Sequence, residues 1–470
     1  GINTIYDLLG EGISSTGARM VIADMDSSLA YNVGDMNSSL GMDDNSMFNL
    51  KAITNNGGTF QVITTGTGNI DMNELNGQEL NTAGFHGALI VSGYDVEVVG
   101  ENDFSNSDIA LQIDNRNWFK LGKKFTVSQD LSINNVMLTG NEAELESDEG
   151  SVIINGEVSG EGYDFRITAA DLAEFNTISN VNNLTVSSNE IIMGSGTLNV
   201  LGSAEFISGV TMDIGGDITA GGDVTFTKGV NVTGNSAITA GGNIDFGTGG
   251  SITGEAGAGL TLTSGNLIEA ASIDMPGNLT VNGSLNVTQN IDNVGNLTIN
   301  NGLVSVSGSA DVSGALNLNG TGDSTVGGDL GVGGNMNILA GNTLSAANMN
   351  LGGSMNLAQG SSVTTDTLTL SGTATQTLNM YGTSNISALV LDNTSSAMAA
   401  ILNGDLTVDT FTFSDHNAQQ FMINNNSTLM VADGIENAGW NNYFVMGSKA
   451  MLQQVAGSAV DPLEFWVGST

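Results

Sequence analysis

The chain has 470 residues, of which 65 are Gly and only 2 are Pro, and its 40% apolar content excludes a generic disordered polymer. Nine Lys and Arg against 49 Asp and Glu give a formal net charge of -40, which repels phosphate backbones and anionic headgroups and argues against nucleic acid as a partner. The absence of Cys excludes disulfides and thiolate metal sites, and no apolar run is long enough to span a membrane.

Residues 1–130 form the first predicted region, an irregular β-rich part that closes one end of the fold. It holds six of the nine basic residues. Ile2 to Leu9 predicts a short helix, whereas Phe60 to Thr65 and Ala88 to Val99 read as strands because apolar and β-branched residues dominate them. We expect this region to act as an N-terminal cap.

Residues 131–406 form the second predicted region, a β-solenoid. Its repeating unit is clearest from Gly277, which begins the successive copies Gly-Asn-Leu-Thr-Val-Asn and Gly-Ser-Leu-Asn-Val-Thr. Alternation at period two places the apolar pair on one face of a short strand, and the glycine permits a corner that a Cβ resists. Copies beginning at Gly277 and Gly295 lie eighteen residues apart, and other copies lie nineteen or twenty apart. Three such steps per turn predict an all-β fold, a three-faced parallel β-helix.

Two stretches inside this region depart from the repeat. The acidic run from Glu142 to Glu149 alternates, so that four carboxylates lie along one side of an extended segment. We interpret it as a solvated face, with calcium binding as the alternative. The stretch from Thr168 to Phe175 predicts a short helix.

Asn and Asp residues that flank the glycines form a further recurring feature. Both residue types tolerate left-handed backbone and bond their own main chain, so they suit corners and stack as ladders. We assign this structural role, in preference to ligand binding, to Asp217, Asp223, Asn243, Asn278, Asn296, Asp329 and Asn335.

Residues 407–470 form the third predicted region, a C-terminal capping or subunit-contact segment. Aromatic residues that the repeats lack gather here. The open end of a solenoid exposes strand edges and core that must be covered. Large aromatics dominate interface anchors, so Trp440, Phe465 and Trp466 are the predicted subunit contacts.

The end of the chain also carries a family resemblance. Three runs, Asp433 to Gly447 with Asn441-x-Tyr443-x-Val445, Met451 to Val455, and Leu463 to Gly468, resemble the end of β-helical regions in large surface adhesins exported by the type IX secretion system. Phe465 is followed by Trp466 where that family has Phe-Pro. The repeats, best over 277–299, are similar to filamentous-haemagglutinin-like passengers and viral tail fibres. These resemblances imply an extracellular β-helical adhesin or fibre protein.

Catalytic motifs are sparse. A lyase groove of the pectate-lyase kind needs basic residues, yet Lys228 is the only Lys or Arg between Ile167 and Ser448. His86 and His416 lie in no recognisable metal spacing, and we interpret both as surface or packing residues. We therefore assign no catalytic, cofactor or metal residue, and expect no cofactor beyond diffuse calcium binding by surface carboxylates.

The sequence favours a non-enzymatic extracellular structural protein, a rod-like solenoid that is the shaft or subunit of a surface fibre, adhesin or matrix filament. Its expected partners are further copies of itself, associated head to tail, and cell-surface or matrix components, including carbohydrate. One alternative is a carbohydrate-active or carbohydrate-binding β-helix protein, which a groove with clustered carboxylates and cations would distinguish. Another is a phage tail fibre, which would be an intertwined trimer.

Overall fold

The computed structural model describes backbone and side chains for residues 69–73, 89–105, 111–395 and 398–454. It describes backbone for the strand residues 19–22, 27–30, 47–52, 56–64, 86–88, 110, 459–460 and 464–467. The chain divides into two compact units, Gly1–Val230 and Asn231–Thr470, which we call the first and second unit. The described residues contain strands and no helix.

The strands are numbered in chain order. In the first unit, β1 to β26 are Arg19–Ile22, Ser27–Ala30, Met47–Ala52, Asn56–Thr64, Asn69–Asp71, His86–Ser92, Val96–Val98, Asn102–Phe104, Ala110–Ile113, Phe119–Leu121, Lys124–Val127, Leu131–Ile133, Val136–Leu138, Ala143–Ser147, Val152–Ile154, Glu157–Ser159, Phe165–Ala169, Leu172–Phe175, Thr177–Val181, Leu184–Ser188, Glu190–Met193, Thr197–Val200, Ala204–Ser208, Met212–Ile214, Asp217–Ala220 and Val224–Phe226. Strand β27, Gly229–Val232, contains the division between the units.

In the second unit, β28 to β54 are Ser236–Ala240, Ile244–Asp245, Ser251–Gly254, Leu260–Ala270, Ser272–Asp274, Leu279–Val287, Ile291–Val294, Leu297–Asn300, Val304–Val306, Ala310–Val312, Leu316–Leu318, Gly322–Val326, Leu330–Val332, Met336–Ile338, Asn342–Ala346, Asn348–Leu351, Met355–Leu357, Ser362–Leu370, Gln376–Met380, Thr383–Leu391, Ala400–Phe413, Gln420–Ile423, Thr428–Asn437, Tyr443–Met446, Met451–Gln454, Ala459–Val460 and Glu464–Val467.

Both units are parallel β-solenoids, as the repeat predicted. In the first unit β11 pairs in parallel with β8 and β14, and β14 pairs with β17, so the strand directly above is usually the third one along the chain. Three faces per turn follow from this pairing. In the second unit Leu279 lies opposite Leu297, and Leu297 opposite Leu316, which confirms a coil of eighteen or nineteen residues over this stretch. Later coils are longer, because Leu378 lies opposite Leu402.

The core is a narrow apolar column inside each unit. Strands such as β14 and β33 alternate buried and half-buried residues at most positions, so every second side chain points inward. On successive turns, residues of the same kind then stack on one another. Phe206, for example, packs on Phe226 with ring centroids 5.1 Å apart and an angle of 12° between the ring planes. Each turn buries only a few side chains, so stability depends on contact with the turns on either side.

A column of glycines forms one corner of the second unit. Gly277, Gly295, Gly314, Gly334 and Gly353 each precede a strand on successive turns, and each backbone N–H after the first donates to the carbonyl of the glycine before it, at 2.5 to 3.0 Å. A Cβ on any of the five would lie 1.6 to 2.8 Å from a backbone oxygen of the preceding turn. The repeat needs glycine here for close approach between turns, whereas the sequence suggested freedom at a bend.

Asparagine ladders run along the outer surface of the second unit. Asn337 donates to Asn317 at 2.8 Å, and Asn403 and Asn424 each donate to the asparagine one turn before at 2.7 Å. The predicted corner pair behaves likewise, because Asn296 Nδ2 donates to Asn278 Oδ1 at 2.7 Å. Stacked amides satisfy one another and add polar contacts between turns to the apolar ones inside.

The structure corrects one predicted element and places others. Thr168 to Phe175 is not a helix, because β17 ends at Ala169 and β18 begins at Leu172, with Ala173 and Phe175 buried. The predicted helix at Ile2 to Leu9 lies outside the described residues. Parallel pairing is already present at β7 with β10 and continues at β48 with β50, so strand pairing does not change at residues 130 and 406. The assignment of 1–130 and 407–470 as caps therefore stays a prediction about role.

Candidate functional site

A charged groove lies on the surface of the first unit. It has a volume of about 530 Å³. Its walls come from five successive turns, at the starts of β8, β11, β14, β17 and β20. The lining residues are Glu101, Lys123, Lys124, Asn141, Glu142, Ala143, Glu144, Asp164, Phe165, Arg166, Asn183 and Thr185. At about 4.8 Å per turn, five turns extend over roughly 19 Å.

The groove combines charges of both signs because outward positions stack in register. Lys124 on β11 lies opposite Glu144 on β14, which lies opposite Arg166 on β17, and the next position on β20 is Thr185. Two residues further along each strand, Thr126 lies opposite Glu146. Cation and carboxylate thus alternate along one row, while a shorter row of hydroxyl and carboxylate runs beside it.

The two lysines of the groove are held in ion pairs. Lys124 Nζ lies 2.5 Å from Glu146 Oε2, and Lys123 Nζ lies 3.4 Å from Glu142 Oε2. Glu144 accepts a hydrogen bond from Thr168 Oγ1 at 3.1 Å. The carboxylates of the acidic run therefore do more than face solvent: two of them fix the positions of the lysine ammonium groups.

These contacts shift the pKa values of two groups. Burial lowers the pKa of Lys124, but the hydrogen bond to Glu146 and the charges of Glu144, Glu146 and Asp148 outweigh it, so the pKa is raised above its ordinary value. Burial also raises the pKa of the Asp148 carboxyl, and the charge of Glu146 raises it further, although Lys124 opposes both. Lys124 is consequently protonated throughout the neutral range.

Asp148→Asn is expected to raise the melting temperature near pH 7, because it removes a carboxylate whose charged form the folded state disfavours. The rise should be only about 1 °C, since the side chain is exposed and its interactions are screened. When the pKa of a carboxyl is higher in the folded than in the unfolded state, its ionised form lowers the stability of the fold. This loss vanishes once the pH falls below the pKa of the unfolded state, about 3.9, because the carboxyl is then protonated in both states. The gain should therefore disappear at about pH 3.5. Thermal melts at several pH values, with the exposed Asp171→Asn as control, measure it; an equal gain at every pH would contradict the assignment.

A second cluster of polar groups lies on a corner of the second unit. His416 Nε2 is 3.2 Å from Asp392 Oδ1, and Asp415 offers a further carboxylate within reach of a shared ion. Asp392 and His416 belong to successive turns, in the loops after β47 and β48. The sequence interpretation of His416 as a surface residue agrees with its half-exposed side chain. His86 begins β6, and its side chain lies outside the described part.

The three residues predicted to form subunit contacts lie in or beside two strands that pair with each other, β51 and β54. Trp440 is 78% exposed, in the loop before β51. Phe465 and Trp466 belong to β54, whose backbone pairs with β51 so that Phe465 is in register with Phe444 and Trp466 with Val445. The pairing thus brings the three positions to neighbouring turns. Their role as subunit contacts stays a prediction.

Sequence reasoning missed the charged groove. Lys124, Glu144 and Arg166 are separated by about one coil each, so no local motif joins them. The sequence did contain one indication: charged residues recur at intervals of about one coil, immediately before the stretch from Ile167 to Ser448 in which Lys228 is the only Lys or Arg. Comparisons with family models, with curated proteins and with solved structures find no match, so the site rests on its own geometry.

Proposed function

We propose that this chain is a non-enzymatic structural protein outside the cell, a rod-like shaft or subunit of a surface fibre, adhesin or matrix filament. The observation that carries the proposal is the in-register stacking of successive turns. Apolar columns lie inside each unit, and hydrogen-bonded asparagines such as Asn403 and Asn424 lie outside the second. Residues that take part in this regular stacking contribute to the shape and stiffness of the molecule.

The backbone pairing supports a mechanical role. A central strand such as β14 pairs on both sides, with β11 and with β17, so its polar groups are bonded to the neighbouring turns. Cleavage by a protease requires an extended segment to leave the fold, and here that segment would have to break two ladders. A stiff, protease-resistant spacer is the consequence. No helix among the described residues has the length and apolar character to cross a membrane.

The chemistry of the groove supports the non-enzymatic part of the proposal. β-Elimination of a polysaccharide needs a basic group that takes a proton. Lys124 has a raised pKa and is paired with Glu146, and the guanidinium of Arg166 offers N–H donors and no acceptor. The cations of the groove are thus suited to holding anions and poorly suited to acting as bases.

Assembly from end to end is the mechanism we propose for filament formation. Strand β54 pairs in parallel with β51 and so continues the ladder of the second unit. A parallel ladder can be extended by a strand of another chain, and a contact between unlike ends generates an open filament. Trp440, Phe465 and Trp466 are the proposed anchors of that contact.

The combined variant Trp440→Ala, Phe465→Ala and Trp466→Ala is expected to remain folded and to lose assembly, because it removes the aromatic anchors of the contact. Electron micrographs and sedimentation velocity measure polymer length, and circular dichroism measures folding. Tyr381→Ala, which removes an aromatic side chain that is 58% exposed elsewhere on the second unit, is the matched control. Unchanged polymer length in the combined variant would refute the proposed contact.

The proposed function as a whole is tested by imaging the purified protein with and without calcium, together with immunogold labelling of intact cells. Filaments or elongated particles and label on the cell surface are expected. Compact particles, or label confined to the cell interior, would overturn the proposal. A mass of three chains in solution, independent of concentration, would instead favour the tail-fibre alternative.

A further inference from the structure

Arg166 is the unpaired cation of the charged groove. Its side chain is exposed, and among the described residues no carboxylate lies within ion-pair distance of its guanidinium. Lys123 and Lys124, by contrast, each form an ion pair with a glutamate. An exposed guanidinium offers two parallel N–H donors in a planar fork, the arrangement that binds a carboxylate in bidentate fashion.

The rest of the groove is rich in hydrogen-bonding groups. Glu101, Glu144 and Asp164 present carboxylate oxygens, while Asn141, Asn183 and Thr185 present amide and hydroxyl groups. Asp164 is itself held in place, because Oδ1 accepts from Asn182 Nδ2 at 2.8 Å and from Asn183 Nδ2 at 3.0 Å. Fixed acceptors on several turns match a ligand that carries many hydroxyl donors.

We propose that this groove binds an uronate-containing oligosaccharide, with one sugar carboxylate on the guanidinium of Arg166 and sugar hydroxyls on the carboxylates and amides of the neighbouring turns. The length of roughly 19 Å accommodates an extended chain of several sugar rings lying across five turns. The inference concerns the first unit alone and does not depend on filament assembly.

Charge balance distinguishes this ligand from other anionic polymers. Four lining carboxylates, Glu101, Glu142, Glu144 and Asp164, surround three cations, two of which are already neutralised. The lining carboxylates repel any polyanion, and an acidic peptide has no side-chain hydroxyl donors to offset that repulsion. A sugar chain places hydroxyl groups between its carboxylates, and hydroxyls donate to the acceptors that an acidic peptide would leave unpaired.

Isothermal titration calorimetry with tetragalacturonate and with cellotetraose, a neutral chain of equal length, tests the proposal. We expect tetragalacturonate to bind and cellotetraose to bind at least about tenfold more weakly, since a charge-assisted bidentate contact is lost. Arg166→Gln should weaken tetragalacturonate binding about tenfold, and Arg166→Lys by an intermediate factor, because it keeps the charge but loses the fork. Added salt should weaken binding to the wild-type protein.

The matched control is Lys228→Gln, which removes one exposed positive charge from the same unit outside the groove. It should leave the affinity unchanged within about twofold. Circular dichroism verifies that each variant is folded. Equal losses in the Lys228 and Arg166 variants, equal binding of cellotetraose, or tighter binding of an oligoglutamate than of tetragalacturonate would each overturn the proposal, as would no binding of tetragalacturonate.

Discussion

Phe411→Ala is expected to lower the free energy of unfolding of the second unit by about 3–5 kcal/mol, the cost of deleting a buried phenylalanine and leaving a cavity. Phe411 is fully buried, and its ring centroid lies 4.9 Å from that of Phe413 and 5.0 Å from those of Phe421 and Phe444. These rings come from β48, β49 and β51, so one deletion weakens contacts within a turn and between turns. Chemical denaturation followed by fluorescence and circular dichroism measures the loss.

The aromatic control for this variant is again Tyr381→Ala, whose exposed ring should change the free energy of unfolding by less than about 0.5 kcal/mol. Phe411→Leu keeps most of the apolar volume and should fall between alanine and the wild type. If alanine at Phe411 cost no more than alanine at Tyr381, the four rings would not form the core of this part of the solenoid.

Gly216→Ala is expected to destabilise the first unit by about 3 kcal/mol or more, at the upper end of the costs of overpacking. A Cβ at Gly216 would lie 1.9 Å from the carbonyl oxygen of Gly196, one turn earlier. Backbone is the obstacle, so no side-chain rotation relieves the clash and the turns must separate. Thermal and chemical denaturation of the first unit report the effect.

Gly100→Ala is the matched control, since its nearest neighbour is Asn73 Oδ1 at 3.8 Å, an ordinary contact distance, in the same unit. It should be neutral within about 0.5 kcal/mol. Equal stabilities of the two variants would mean that glycine at Gly216 serves bending of the chain and not close approach of the turns. That outcome would support the original sequence interpretation of these glycines.

The predictions for Phe411 and Gly216 concern the stability of the fold, whereas those for the surface residues concern binding and assembly. Phe411 and Gly216 test the contacts between turns, and neither lies in the charged groove or among the proposed anchors. Arg166 and Trp440 are exposed, so their replacement should change binding or assembly while leaving the free energy of unfolding nearly unchanged. Stability and function thus respond to different sets of residues.

The helix predicted at Thr168 to Phe175 shows where local reasoning failed. Alanine, leucine and glutamate have high helix propensity, and the stretch has no glycine to break it. Ala169 nevertheless ends β17, and Ala173 and Phe175 fill inward positions of β18. Pairing with the turns before and after outweighs propensity differences of a few tenths of a kcal/mol per residue.

The charged groove shows a different limit. The alternation of Glu144 and Glu146 was readable, and it correctly placed both on the outer face. Their partners were not readable, because Lys124 and Arg166 reach them through the stacking of whole turns. A change of one residue in the length of a coil would move every such pair out of register.

The amino-acid sequence by itself determined the all-β class, the parallel solenoid and the coil length of its most regular stretch, because period-two alternation and glycine spacing recur often enough to outweigh any single residue. Only the tertiary structure decided which glycines are fixed by close approach, which asparagines form ladders, and which charges meet at Arg166 and Lys124. The physical reason is that these contacts join residues about one coil apart, so they exist only once the turns are stacked in register.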